Sequence, residues 1–113
     1  MPDDDTVFEQ ANLSSQQSGI DGVVTISTKV RELVPQVRYA LRTGNAEPFL
    51  AISISEPPHI LSSSLPEEIV ERMAPDVFRW VSLNREALLD FWHLGDGWLD
   101  EDVAAFKAAL KHI

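Results

Sequence analysis

The residues from Pro75 to Trp92 constrain this chain more than any others. Wound at ~100° per residue, Val77, Trp80, Val81, Leu88, Phe91 and Trp92 share one arc. Asp76, Arg79, Ser82, Glu86, Asp90 and His93 share the opposite arc. Phe78 and Leu89 widen the apolar side beyond the ~100° stripe of an ordinary surface helix. Pro75 suits a first helical turn, where its missing N–H costs nothing, and Gly95 and Gly97 stop the run. The spacing therefore predicts a central helix over about 75–93. Its two tryptophans and Phe91 offer roughly several hundred Å² of apolar surface, worth ~25 cal/mol per Å² once covered. The remaining segments have to supply that cover.

At 113 residues the chain makes one domain. It has no cysteine, which excludes disulfide staples, thiolate metal sites and thiol nucleophiles and suits a reducing compartment. No apolar run approaches the ~20 residues of a membrane span. The start, MPDDDTVFEQ, is acidic where a secretory leader is basic. The expectation is a soluble, cytoplasmic protein. The net charge of −9 is unevenly spread. Residues 1–21 hold five acids and no base, residues 22–55 four bases and two acids, and residues 56–113 eleven acids and five bases. Such a balance repels a phosphate backbone, so duplex nucleic acid is disfavoured and a partner protein with a basic surface is favoured. Mild acidity also keeps small bacterial-type domains in solution without any partner.

Residues 1–21 read as a flexible acidic arm, with three consecutive aspartates, a Ser/Gln-rich tract and few apolar anchors. Residues 22–113 then form a single α+β domain. Gly22–Thr28 is β-branched and reads as a strand. Lys29–Thr43 carries both helical and alternating spacing, but Pro35 disfavours a helix there, which leaves a short irregular piece and a strand at about Gln36–Arg42. Gly44 and Asn45 mark a hairpin turn, and Pro48–Ser55 is the best strand in the chain. Pro57 and Pro58 open a loop. Ser64 and Glu67 fit a capping box for a helix over Leu65–Met73, and the Pro75 helix follows. Asp100 would cap a last helix, with Asp102 in its first turn, Lys107, Lys111 and His112 in its last, and Val103, Phe106, Leu110 and Ile113 as its buried stripe. The sum is an antiparallel β-meander of about three strands with three helices packed on it.

The stretch Trp80–Trp92, WVSLNREALLDFW, resembles the carboxy-terminal helix of small bacterial proteins filed as domain of unknown function 4160. Members of that family often end in the form W-x-x-x-N-R-E-x-L-L-x-x-W. The matching positions are Trp80, Asn84, Arg85, Glu86, Leu88, Leu89 and Trp92. The resemblance implies an interaction or regulatory role, since such families are sometimes encoded beside toxin–antitoxin or mobile-element genes. The family's PPHxH segment precedes its strands. In this chain Pro57-Pro58-His59 follows the best strand, and Leu61 replaces the second histidine.

No motif dictates a chemistry. His59, His93 and His112 lack the spacing of a zinc or iron site. Asp96, Asp100, Glu101 and Asp102 crowd one turn without the pattern of a twelve-residue calcium loop. Ser62, Ser63 and Ser64 lie near His59 and Glu67, but there is no G-x-S-x-G elbow, and no Gly-rich phosphate loop is present. No catalytic residue, metal or cofactor is therefore assigned. Asn84 stands in the apolar arc, where an unpaired amide would cost ~1–3 kcal/mol. It either binds a strand or loop carbonyl and fixes the helix's register or marks a face partly open to a partner or a small ligand. Arg85 flanks it. Lys29, Arg31, Arg38 and Arg42 are the one basic cluster; if Arg38 and Arg42 share one strand face they point the same way, toward the acidic arm, an acidic helix or an anionic ligand.

Two functions stay open at this level. One is a non-catalytic interaction or regulatory module, antitoxin-like or inhibitor-like, whose clustered carboxylates can imitate nucleic acid. The other is a small ligand-binding domain or enzyme with a pocket between sheet and central helix, lined by Trp80, Asn84 and His59 or His93. A homodimer with tryptophans at its centre is a third possibility.

Overall fold

A computed structural model describes residues 10–29, 34–42 and 47–113. Among them five antiparallel strands make one sheet in sequence order: β1 (Gln10–Leu13), β2 (Val23–Ser27), β3 (Gln36–Ala40), β4 (Leu50–Ser53) and β5 (Ile60–Ser63). A one-turn helix, α1 (Ser15–Ser18), joins the first two strands. Three longer helices follow the sheet: α2 (Glu67–Leu83), α3 (Arg85–Leu94) and α4 (Asp100–Ala109). The α+β class holds, with five strands and four helices among the described residues instead of three of each.

The register explains the core. Leu13, Val24, Tyr39 and Leu50 form one cross-strand row, and Ala11, Ile26, Val37 and Ile52 the next. All eight side chains are buried on the same face. Their period of two points them at the helices. Against this face α2 lies on β4 and α3 on β2. Of the arc drawn from the sequence, Val77, Trp80, Val81, Leu88 and Phe91 are each 0% exposed and Trp92 is half-buried, so five of its six residues form the surface the helices bury. The other face carries Asn12, Thr25, Arg38, Ala51 and Ser62 in one row, with Thr25 Oγ1 donating to Asn12 Oδ1 at 2.7 Å.

Residues 10–21 do not belong to an arm. β1 pairs with β2, Leu13 and Ile20 are sealed in the core, and Ser14 and Gln17 form a reciprocal capping box on α1. Two inward residues, one of them alanine, are too weak a signal for a strand until β2 supplies its partner. Residues 1–9 lie outside the described residues. So do Arg31 and the Gly44-Asn45 turn, although β3 and β4 pair antiparallel as such a turn requires. β5 occupies a stretch expected to be loop, and all four of its residues are exposed. Gly22, at φ +127°, lets the chain pass Tyr39, since a Cβ there would lie 2.7 Å from the Tyr39 hydroxyl oxygen.

The central helix does not begin at Pro75. α2 runs through Pro75, which is exposed, so the Glu71 carbonyl that loses its helical donor faces water. The break comes at Asn84 instead, with φ −113° and ψ 15°. Ser64 does not cap a helix either. Its Oγ accepts from Phe49 N–H at 3.0 Å and its own N–H donates to Phe49 O at 2.8 Å, which prolongs the β4–β5 ladder. At α4 the cap position is Leu99, whose N–H donates to Asp102 Oδ2 at 3.0 Å, and Asp100 lies inside the first turn. Lys111 and His112 fall past the end of α4. No helix among the described residues is long and apolar enough to cross a membrane.

Pro75→Ala restores one helical donor at an exposed site and should raise stability by ~1–2 kcal/mol in urea denaturation. Burial, then the Asp21 carboxylate, raise the pKa of the Tyr39 hydroxyl, and Arg72 acts against them. Its hydroxyl also donates to the Asp21 carbonyl. The unfolded chain ionises this group first, so stability is full below about pH 10 and falls as pH climbs through the raised folded value. Tyr39→Phe should cost ~1 kcal/mol at neutral pH and flatten that alkaline limb in melts recorded across pH.

Candidate functional site

The α3–α4 hairpin is built by three local events. α3 ends at Leu94, a 3-10 turn over Gly95–Gly97 reverses the chain, and Trp98 continues in an extended conformation at φ −80°, ψ 153°. Its N–H donates to Gly95 O at 3.1 Å. α4 then packs back on α3 through Phe91 and Phe106, whose rings stack with centroids 4.9 Å apart and planes 10° off parallel. Trp98 completes the cluster, 5.8 Å from Phe91 and 5.6 Å from Phe106.

This hairpin leaves an open groove of ≈ 480 Å³, lined by Ala87, Asp90, Trp98, Asp102, Ala105 and Phe106. Ala87 and Asp90 lie three apart on α3, and Asp102, Ala105 and Phe106 sit on one face of α4, so the two helices supply opposite walls. The small alanine side chains leave the space between the walls unfilled, the rings make an apolar floor, and a carboxylate stands on each side. No lysine or arginine lines it. Asp96, Asp100 and Glu101 add negative charge around the same turn, and Leu94 and Leu99 are 57% and 63% exposed beside it. The chemistry on offer is recognition of a cation that also carries apolar surface: carboxylates for its charge, an aromatic face for its stem.

A second hollow, ≈ 390 Å³, opens at the α2–α3 break and includes Glu56, Leu83, Asn84, Arg85, Glu86 and Lys111. Acids and bases balance in it. Asn84 is 5% exposed and spends its amide inside the fold. Nδ2 donates to Trp80 O at 3.1 Å and Lys111 O at 2.8 Å, while Oδ1 accepts from Lys111 N–H at 2.8 Å. It therefore binds a loop carbonyl, as one of the sequence alternatives required, and that loop is the segment after α4.

The other residues singled out from the sequence are scattered. Trp80 is enclosed in the core, lines neither hollow, and its Nε1 makes no hydrogen bond among the described residues. Arg85 is half-buried, and its Nε likewise has no hydrogen-bond partner among them. Arg38 lies on the outer face of β3 with its guanidinium 4.4 Å from the centroid of the Phe49 ring. Arg42 comes after β3 ends, so the two arginines do not share a strand face, and Arg42 pairs with Glu47 at 3.2 Å. His59 is exposed ahead of β5, and its backbone N–H donates to Ser53 Oγ at 2.9 Å. His93 is exposed near the end of α3, its ring edge-on to Trp92. Among the described residues no three His, Cys, Asp or Glu side chains gather as a metal would need.

Asp90, Asp102 and Phe106 had separate explanations in the sequence: polar arc, first helical turn and buried stripe. The signal that joins them is a short α–α connection flanked by Ala87 and Ala105, small residues where two helices must face each other. No family model, curated protein or solved structure matches the chain.

The Asn84 clip joins residues 27 apart in sequence. Asn84→Ala should cost ~2–3 kcal/mol in chemical denaturation, because Lys111 loses a donor and an acceptor at once. Amide exchange should rise first at Lys111, ahead of the sheet.

Proposed function

We propose that this chain is a non-catalytic protein-interaction module whose acidic helical layer receives a basic segment of a partner, with the α3–α4 groove as the anchor. The observation that carries the proposal is the pairing, in one groove, of carboxylates on both walls with an aromatic floor and no internal cation. A partner lysine or arginine would lay its stem along Ala87 and Ala105 and bring its charge between Asp90 and Asp102, beside Trp98. The regulatory role implied by the resemblance of Trp80–Trp92 to domain of unknown function 4160, antitoxin-like or inhibitor-like, belongs to the same class. Imitation of nucleic acid by these carboxylates is one form of it.

A defined probe tests this. A short arginine-rich peptide carrying one leucine should move the Trp98 indole resonance and the Ala87 and Ala105 amides in heteronuclear NMR titrations. The affinity should fall as salt is raised. Asp90→Asn, which removes an exposed charge without touching a helix cap, should weaken binding by about tenfold or less, and adding Asp102→Asn should weaken it further. Equal binding by the double variant, or shifts spread evenly over every acidic surface, would remove the groove from the account.

A further inference from the structure

β5 is an outer strand of the sheet; it is short and its pairing with β4 carries a register shift, but it lacks the charged side chains and internal proline that blunt other edges. From Pro57 to Pro66 the chain carries no Lys, Arg, Asp or Glu, in a molecule of net charge −9. The prolines stand outside the strand, at Pro57, Pro58 and Pro66. Ile60 and Leu61 are 46% and 45% exposed. Ile60 pairs with Ile52 and so shares the face on which the core is built, but the helices lie over β4 and β2 and leave it uncovered.

The backbone is also available. Ser64 N–H donates inward to Phe49 O and Ser53 N–H to His59 O, both at 2.8 Å. The alternation of an antiparallel ladder then turns the N–H and C=O groups of Ser63 and Ile60 outward, with the register shift of the β4–β5 pair falling between them.

We propose that β5 pairs antiparallel with β5 of a second copy about a two-fold axis, joining two five-stranded sheets into one of ten strands. The axis stands perpendicular to the sheet, so both helical layers lie on the same side and the two Ile60 side chains project into the gap between them. The charge pattern selects this occupant. Two copies at −9 repel, and they can approach along a surface that carries no charge and is its own complement. A strand of four residues buries little, which places the dimer among weak, transient associations. Salt response separates this contact from the groove. Screening relieves repulsion between like-charged copies, so the dimer tightens with salt, whereas a basic segment in the groove is released.

Sedimentation equilibrium of the full chain over a wide concentration range reads the outcome. The expected result is a mass rising from 12.6 kDa toward twice that value, at lower protein concentration as salt is raised. Ile60→Lys puts two like charges into the gap between the helical layers, and Ser63→Pro removes an outward donor, together with the Ser63 Oγ that accepts from Leu65 N–H at 3.2 Å, but leaves the inward ladder in place. Each should raise the dissociation constant at least about tenfold, with circular dichroism showing an unchanged fold. Asn12→Lys, on the β1 edge, should leave the dimer as it is. A mass of 12.6 kDa throughout, a dimer dissolved by Asn12→Lys and not by the β5 variants, growth beyond a dimer, or weakening by salt would each overturn the proposal.

Discussion

One face of a five-stranded meander has to leave water, and α2 and α3 together cover it. Eight sheet side chains in two cross-strand rows share one core with Val77, Trp80, Val81, Leu88 and Phe91, and those five are fully enclosed. Trp80 shows which effect wins. Its indole N–H is left without a hydrogen bond among the described residues, a loss of ~1–3 kcal/mol. Enclosing a ring of ~150–250 Å² is worth ~4–6 kcal/mol, so the ring stays inside despite the unpaired donor. The exposed ion pairs, Arg42–Glu47 and Asp76–Arg79, belong to a smaller scale of energy.

The second constraint is the amide of Asn84. Its backbone N–H is shared between the carbonyls of Trp80 and Val81, and its own carbonyl accepts from Leu88 N–H at 2.9 Å to start α3. A side chain that competes for backbone partners is a poor helix interior residue and a good divider. By ending α2 there it frees α3 to lie on β2, where Lys29 N–H donates to Trp92 O at 2.8 Å. The same amide holds Lys111, and two residues further Ile113 N–H donates to Ser18 O at 3.1 Å. The helix break, the segment after α4 and α1 are thus linked in one chain of hydrogen bonds. The α3–α4 groove depends on it, because α4 packs on α3 through Phe91 and Phe106.

Much of this was legible one-dimensionally where burial is strong and local. The β-branched alternation of 22–28, 36–42 and 48–55 located β2, β3 and β4 to within a few residues. The apolar arc from Val77 to Phe91 named the side chains that cover them, and Val103, Phe106 and Leu110 were buried as the spacing of α4 required. β1 and β5 were not legible. The first turns only Ala11 and Leu13 inward, and the second is an uncovered edge with no alternation to detect. Pro75 was misplaced because its position in a helix depends on which side of the helix meets water. The groove was invisible because its two walls belong to separate helices.

Periodicity and residue type alone determined that a sheet with one apolar face would be covered by helices bearing an apolar arc, since each element's own spacing defines the surface it must hide. Tertiary structure decided where the long helix divides, how the edges of the sheet are occupied and where a groove opens. Those outcomes rest on partners apart in the chain, Asn84 with Lys111 27 residues on and Leu13 with Val24 11 residues on, and no local pattern encodes a hydrogen bond or contact whose other half lies that far away.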